Sequence, residues 1–283
     1  MLGARGHAAV IGGGTMGAGI ASVLAKAGIE VELIDVSEEA AAAGIAGARE
    51  MIDDSVARGR ITPGDGQAAK RGIKPLSAIA DATPTPRLAI EAVPERFELK
   101  TKVLAAAERL DPKLLATNTS GISIDDLAAA LSDPSRFIGL HFFNPVPAIG
   151  LVEVVLGSAT DEETRAAAIG LIGEIGKEAV VVKDAPGFAS SRLGIVLGLE
   201  AIRMVEQGIA GPEDIDRAMV LGYRHPVGPL RLTDLIGLDV RLDIARNLEA
   251  HYGDRFAPPP LLEEMVSQGR LGKKSGQGFY RWE

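Results

Sequence analysis

His141, at the head of His-Phe-Phe-Asn-Pro, and Glu153, inside Leu-Val-Glu-Val-Val, stand twelve positions apart in the middle of the chain. A carboxylate among such apolar neighbours needs a partner, because burying it alone costs on the order of several kcal/mol or makes it take up a proton. An imidazole suits the acid: it would fix the ring's orientation and stabilise the imidazolium, making His141 a candidate general base and Glu153 its orienting acid. Plainer readings stand beside this one. His141 can be a satisfied structural residue at a strand end, and Glu153 a solvent-facing position on an edge strand. Ser120 closes the polar run Thr117-Asn118-Thr119-Ser120 at the end of the preceding apolar stretch. Both clusters then fall at the carboxyl ends of strands, where open sheets bind ligands.

The N-terminal part carries a second pattern, Ala-Ala-Val-Ile-Gly-Gly-Gly-Thr-Met-Gly-Ala-Gly over residues 8–19. An apolar strand runs there into a glycine-rich turn and a helix. Gly12 permits the tight turn, Gly14 lets the backbone approach a pyrophosphate, and Gly17 lets the helix pack against the strand. Gly13, Thr15 and Met16 complete the turn. Asp35 ends the next apolar run, placed for its carboxylate to accept from both hydroxyls of an adenosine ribose. A 2′-phosphate would meet negative charge there, and Val36 and Ser37 offer it no arginine, so NAD is expected rather than NADP. With strand, helix and acid all in register, a plain strand-to-helix corner explains less of the pattern than a dinucleotide site does.

The elements that must carry these residues follow from apolar runs and breakers. Strands are expected at about 7–11, 30–34, 88–92, 114–117, 137–142 and 178–183, alternating with helices. Ser37 with Glu38 and Glu39, and Ser123 with Asp125 and Asp126, mark helix starts. After Pro186 the strand signals stop, and helices are expected over 187–207, from Pro212, over 229–250 and over 259–269, followed by a basic, glycine-rich tail. The fold class is therefore α/β: a Rossmann-type, doubly wound parallel sheet over 1–184, then a smaller all-helical domain over 185–283.

The 283 residues suffice for two cores, and the net charge of −8 argues against nucleic acid as a partner. No apolar run approaches the roughly 18 residues of a membrane span, and residues 1–7 lack a signal-peptide core, so a soluble, cytoplasmic protein is the expectation. There is no cysteine, and His7, His141, His225 and His251 are too scattered for a metal site, so none is expected.

Several motifs together carry a resemblance: Gly12 to Gly17, Glu91-Ala92-Val93-Pro94-Glu95, Asn118-Thr119-Ser120, His141 to Pro147, Leu151-Val152-Glu153, Asp184 to Phe188, and Gly272 to Tyr280. In order and spacing the chain resembles the 3-hydroxyacyl-CoA dehydrogenase family, 3-hydroxybutyryl-CoA dehydrogenases included, over essentially its whole length. The resemblance implies reversible hydride transfer from C3 of an L-3-hydroxyacyl-CoA to NAD, with His141 taking the hydroxyl proton and Glu153 holding the imidazolium. It also implies Ser120 on the substrate oxygen and cofactor, Asn144 on the cofactor, and Glu95, Lys100 and Lys274 at cofactor-contact positions. Acyl-CoA is the implied partner, and a homodimer the implied assembly. The apolar stretch from Leu193 to Met204 would supply a dimer face or simply an internal core. Many members have Asn where Ser191 stands, to meet the substrate or the catalytic His; the shorter hydroxyl bears on rate and substrate range. Arg58 and Arg60 read either as CoA-phosphate contacts or as a solvated helix end. Two other activities fit the residues less well: a dehydrogenase of a small hydroxy acid without CoA, and an NAD(H)-binding sensor without turnover.

Asp35→Ala is expected to weaken NAD binding and to erode discrimination against NADP. Dissociation constants for both cofactors before and after the change measure it.

Overall fold

The computed structural model describes residues 6–283, and the reading of the first five residues as leaderless lies outside them. The chain divides into two compact units, the first ending at Ala185 and the second running from Pro186 to Glu283.

The first unit is built on β1 (His7–Ile11), α1 (Thr15–Lys26), β2 (Glu30–Ile34), α2 (Glu38–Ala57), α3 (Pro63–Arg71), β3 (Ile73–Leu76) and β4 (Leu88–Glu91). It continues with α4 (Phe97–Glu108), β5 (Leu115–Thr117), α5 (Ile124–Ala128), β6 (Phe137–Phe142), β7 (Leu151–Leu156), α6 (Glu162–Glu174) and β8 (Glu178–Lys183). The strands form one sheet in the order β3-β2-β1-β4-β5-β6-β7-β8. The order reverses between β1 and β4, which is where an open sheet of this kind leaves its ligand crevice. The helix starts are capped as their residues suggest: the Ser37 hydroxyl accepts from Ala40 N at 3.2 Å and the Ser123 hydroxyl from Asp126 N at 3.1 Å. Val10, Ile20, Leu24, Leu33, Ile90, Ile138 and Val154 belong to the continuous apolar core of this unit.

The sheet departs from uniform parallel pairing at one place. β7 runs antiparallel to β6, with His141 directly opposite Glu153, and β8 is parallel to β7. β3, absent from the sequence expectation, lies at the sheet edge and contains Pro75, a residue that edge strands tolerate and central ones do not.

The second unit contains α7 (Ser190–Glu206), α8 (Pro212–Arg217), α9 (Pro229–Ile236), α10 (Leu238–Tyr252) and α11 (Pro260–Ser267). α8 runs on into a π-helical turn over Ala218–Gly222. Two expected helices are corrected. The helix expected from 187 starts at Ser190, because Gly187 and Phe188 take φ of 75° and 46°. The helix expected over 229–250 is two, broken at Gly237, whose φ of 111° is inaccessible to a regular helix. Ile195, Leu199, Leu230, Leu238, Leu248 and Phe256 are buried together as a separate core. The glycine-rich tail is fastened to α9: buried Asp234 accepts from the backbone N–H of Phe279 and Tyr280, each at 2.9 Å, and from Trp282 Nε1 at 2.8 Å. Among the described residues no helix is long and apolar enough to cross a membrane.

Candidate active site

The carboxyl ends of β1, β4, β5 and β6 open on a cavity of about 1070 Å³. Gly12, Gly14, Thr15, Met16, Asp35, Glu95, Lys100, Ser120 and His141 line it. Gly13 and Gly17 are not among its lining residues.

The glycines fit the turn for different reasons. Gly12 has φ of 106°, and a Cβ on it would lie 2.7 Å from the Ala92 carbonyl oxygen. A Cβ on Gly17 would come within 1.7 Å of the Gly12 carbonyl oxygen, so helix and turn pack as closely as glycine allows. Around Gly14 there is open space. Gly14 is also the N-cap of α1 and supplies no side chain to the helix's first N–H groups, which therefore face an anion site at the positive end of the helix. The cradle fits a dinucleotide's pyrophosphate. At its rim, Asp35 accepts from Gly13 N and Val36 N, both at 2.7 Å. Each carboxylate oxygen has a second lone pair for a ribose hydroxyl. Val36 beside it is 92% exposed and places no cation there.

Under the cavity floor lies a charge network that sequence reading only half identified. Glu95 and Lys100 were expected; Glu91 and Thr117 were not. Glu91, fully buried at the end of β4, accepts from Lys100 Nζ at 2.8 and 3.0 Å, from the Thr117 hydroxyl at 2.7 Å and from Val93 N at 2.6 Å. Lys100 is itself 1% exposed and reaches Glu95 at 3.1 Å. Contrary to the solvated role that a lone helical lysine suggests, it is a buried cation between two carboxylates. Glu95 in turn accepts from the Thr119 hydroxyl at 2.5 Å, Ser120 N at 2.9 Å and Gly121 N at 3.2 Å, holding the loop that presents Ser120. Burial alone would raise the Glu95 pKa, but Lys100 and these donors outweigh it and the net shift is downward. The signal available in sequence was Glu91 itself, an acid closing an apolar strand.

His141 Nδ1 and Glu153 Oε2 lie 2.8 Å apart, both side chains buried, across the β6–β7 pair. With Nδ1–H donating to the carboxylate, the ring's basic lone pair is on Nε2. Asn118 joins the neighbouring strand ends, its Oδ1 accepting from Phe142 N at 2.9 Å.

The remaining expected residues are not gathered at this cavity. Asn144 is exposed on the loop after β6 and is not part of the lining. Ser191 and Lys274 belong to the second unit. Ser191 is half-buried in the first turn of α7, and Lys274 pairs with Asp239 at 2.5 Å.

A glycine-turned helix N-terminus, an acid just past the end of β2 and a histidine–carboxylate pair across β6 and β7 fit a dinucleotide-binding oxidoreductase. Comparison with known proteins narrows this. The description "3-hydroxyacyl-CoA dehydrogenase, NAD binding domain" matches residues 7–185, and "3-hydroxyacyl-CoA dehydrogenase, C-terminal domain" matches 187–282. A 3-hydroxybutyryl-CoA dehydrogenase of Mycobacterium tuberculosis is 42% identical over 96% of this chain and 97% of its own. A 3-hydroxyadipyl-CoA dehydrogenase of Escherichia coli is 43% identical over 97% of this chain and 58% of its own. Among solved structures, (S)-3-hydroxybutyryl-CoA dehydrogenase from Ralstonia eutropha superposes with a TM-score of 0.92 at 38% identity, covering 98% of this chain and 99% of that one. The chain belongs to the 3-hydroxyacyl-CoA dehydrogenase family. It is an NAD-dependent enzyme.

Glu91→Gln leaves Lys100 with Glu95 as its only carboxylate. Breaking one side of a buried pair is expected to cost about 3 kcal/mol in denaturant unfolding and to weaken NAD binding in the same variant. The Glu95 shift has a definite sign. A lowered pKa means that its hold on the Ser120 loop is present above the ordinary value of 4.5 and lost as pH falls through the lowered one. NAD affinity titrated down the acid range is expected to fall there in the parent, and to be weaker throughout in Glu95→Gln.

Proposed function

We propose that this chain catalyses the reversible oxidation of a short-chain L-3-hydroxyacyl-CoA, 3-hydroxybutyryl-CoA above all, to the 3-oxoacyl-CoA. The nicotinamide of NAD supplies the hydride acceptor when bound. Gly12, Gly13, Gly14, Thr15, Met16 and Gly17 hold its pyrophosphate, Asp35 its ribose, and Glu95, Lys100, Ser120, Asn144 and Lys274 contribute the family's further cofactor contacts. His141 Nε2 removes the proton from the C3 hydroxyl, and Glu153 keeps the ring oriented and stabilises its charged form. Ser120 donates a hydrogen bond to the substrate oxygen, and Ser191 meets the substrate where relatives use a longer amide. In the reverse direction the imidazolium returns the proton. Oxidation releases a proton to solvent, so rising pH moves the equilibrium toward the ketone.

The observation that carries this reading is the 2.8 Å His141–Glu153 contact, with His141 in the wall of the cavity that Gly12 and Gly14 also line. A base whose tautomer is set by a buried acid is what alcohol oxidation requires next to a dinucleotide. The names of the relatives support the acyl-CoA substrate and the short chain. A cytoplasmic homodimer completes the proposal. Leu193, Leu221 and Tyr223 of the second unit are 66%, 73% and 75% exposed, and a second copy would cover such groups.

His141→Gln tests the assignment. Turnover of 3-hydroxybutyryl-CoA is expected to fall by roughly 10²-fold or more, with NAD affinity little changed, because the base acts in the transition state and not in cofactor binding. Steady-state kinetics paired with an NAD titration separates the two. Full activity in the variant would remove His141 from the reaction.

A further inference from the structure

The polar run that closes β5 uses its side chains unequally. The Thr117 hydroxyl donates to Glu91 at 2.7 Å, the Thr119 hydroxyl to Glu95 at 2.5 Å and the Ser120 hydroxyl to Glu95 at 3.3 Å. Asn118 differs. Its backbone N–H donates to the Glu91 carbonyl at 2.8 Å and its Oδ1 accepts from Phe142 N at 2.9 Å, so main chain and side chain are each held by a neighbouring strand end. A backbone N–H can only donate, which obliges the amide oxygen to face Phe142 and turns the NH2 group away from it. That NH2 has no acceptor among the described residues, and it is not sealed into the core. Asn118 itself is half-buried in the wall of the large cavity, with Ser120, His141 and Phe142 beside it.

Position along the sheet says which part of a dinucleotide would meet those donors. With the ribose at Asp35 past β2 and the pyrophosphate at the glycine turn past β1, as proposed above, the nicotinamide half falls on the other side of the reversal point, over β4, β5 and β6. Hydride transfer needs C4 of the ring within roughly 3–3.5 Å of the substrate carbon whose hydroxyl His141 deprotonates. The carboxamide is carried on the ring carbon next to C4, whereas the ribose hangs from the nitrogen opposite. Neighbouring strands lie about 4.8 Å apart, so β5 brings Asn118 within one spacing of the β6 end that bears His141. The group that comes to Asn118 there is the carboxamide, and its oxygen is the acceptor that a free NH2 requires.

We infer that Asn118 is a further cofactor-positioning residue, its Nδ2 donating to the carboxamide oxygen of the nicotinamide and so setting the rotation that turns the reactive carbon toward His141. The inference rests on proton removal by His141 as proposed above, and deepens that reading by naming the group that aligns the ring.

Equilibrium binding to the full chain tests it with three ligands. These are NAD, its 3-acetylpyridine analogue, which keeps the carbonyl oxygen but has a methyl in place of the amide nitrogen, and ADP-ribose, which has no nicotinamide ring. Asn118→Ala is expected to weaken NAD and the analogue together by roughly tenfold, the loss of one hydrogen bond from a half-buried site, and to leave ADP-ribose within about twofold of the parent. Asn118→Asp keeps an acceptor for Phe142 N and replaces the donor with a second acceptor. The carboxamide of NAD can turn its NH2 toward that carboxylate and the acetyl group cannot, so the preference for NAD over the analogue is expected to rise at least about tenfold above the parent's. The added charge acts alike on both pyridinium rings and cancels in this ratio. Because the aspartate retains the tie to Phe142, it decides the question if the alanine variant does not fold. ADP-ribose weakened as much as NAD in Asn118→Ala overturns the inference and leaves Asn118 a strand-end tie alone. An Asn118→Asp protein with the parent's preference also overturns it. That failure leaves the acyl-CoA reading standing, whereas the expected binding pattern in a parent that turns over no thioester supports the contact and sinks the acyl-CoA reading.

Discussion

A carboxylate as deeply buried as Glu153 keeps its charge only if a cation or strong donors face it, and the opposite strand supplies His141 2.8 Å away. The requirement constrains the sheet as much as the side chains. In an antiparallel pair, residues directly opposite one another project to the same face, so a single reversal of direction between β6 and β7 brings imidazole and carboxylate together. A slip of one residue would carry Glu153 to the other face and leave two polar groups unmatched in an apolar layer. The flanking Val152, Val154 and Val155, all fully buried, pin that register.

The cavity at the carboxyl ends of β1, β4, β5 and β6 applies the same economy of buried charge in a second place. Glu91, Lys100 and Glu95 form a row from the sheet to the loop bearing Ser120, and each link is a charge-assisted contact between 2.8 and 3.1 Å. Such a row adds little net stability over an apolar filling of equal volume, since desolvation consumes most of the Coulombic gain. Its consequence is geometric. Glu91 accepts from a strand hydroxyl, a turn amide and a lysine at once, so the ends of β4 and β5 and the start of α4 hold one relative position. The Ser120 loop is then tied to the same frame through Glu95.

Much of this was legible in the chain because the relevant signals are local. The glycine turn, the acid after β2, the serine caps and most of the strands depend on residues near one another in sequence. The direction of β7 was not legible, because alternation and β-branching identify a strand without saying which way it runs. β3 was hidden by Pro75, whose missing donor is harmless only at an edge that the sequence does not announce. The break at Gly237 fell inside an otherwise helical pattern, where one glycine usually costs about 1 kcal/mol without ending the helix. Glu91 went unassigned for a related reason: an acid at a strand end reads as solvent-facing until a lysine nine residues on is seen to be buried against it.

The second unit shows what that glycine accomplishes. Asp234, three residues before it on α9, is buried and accepts three bonds from the tail, while Gly272 lets that tail pass so near that a Cβ would lie 2.3 Å from the Asp234 carbonyl oxygen. Asp216 makes a parallel fastening, accepting from the Tyr280 hydroxyl and from Leu230 N at 2.8 Å each. A helix continuing straight through position 237 could not turn α10 away from α9. The break instead lets Asp239 enter the new first turn and meet Lys274, held at that point by the tail that Asp234 has anchored. The motif Gly-Lys-Lys-Ser-Gly-Gln-Gly-Phe-Tyr is thus in the first place a packing sequence: its glycines admit the close approach, its aromatics seal it, and the placement of Lys274 is a consequence of both.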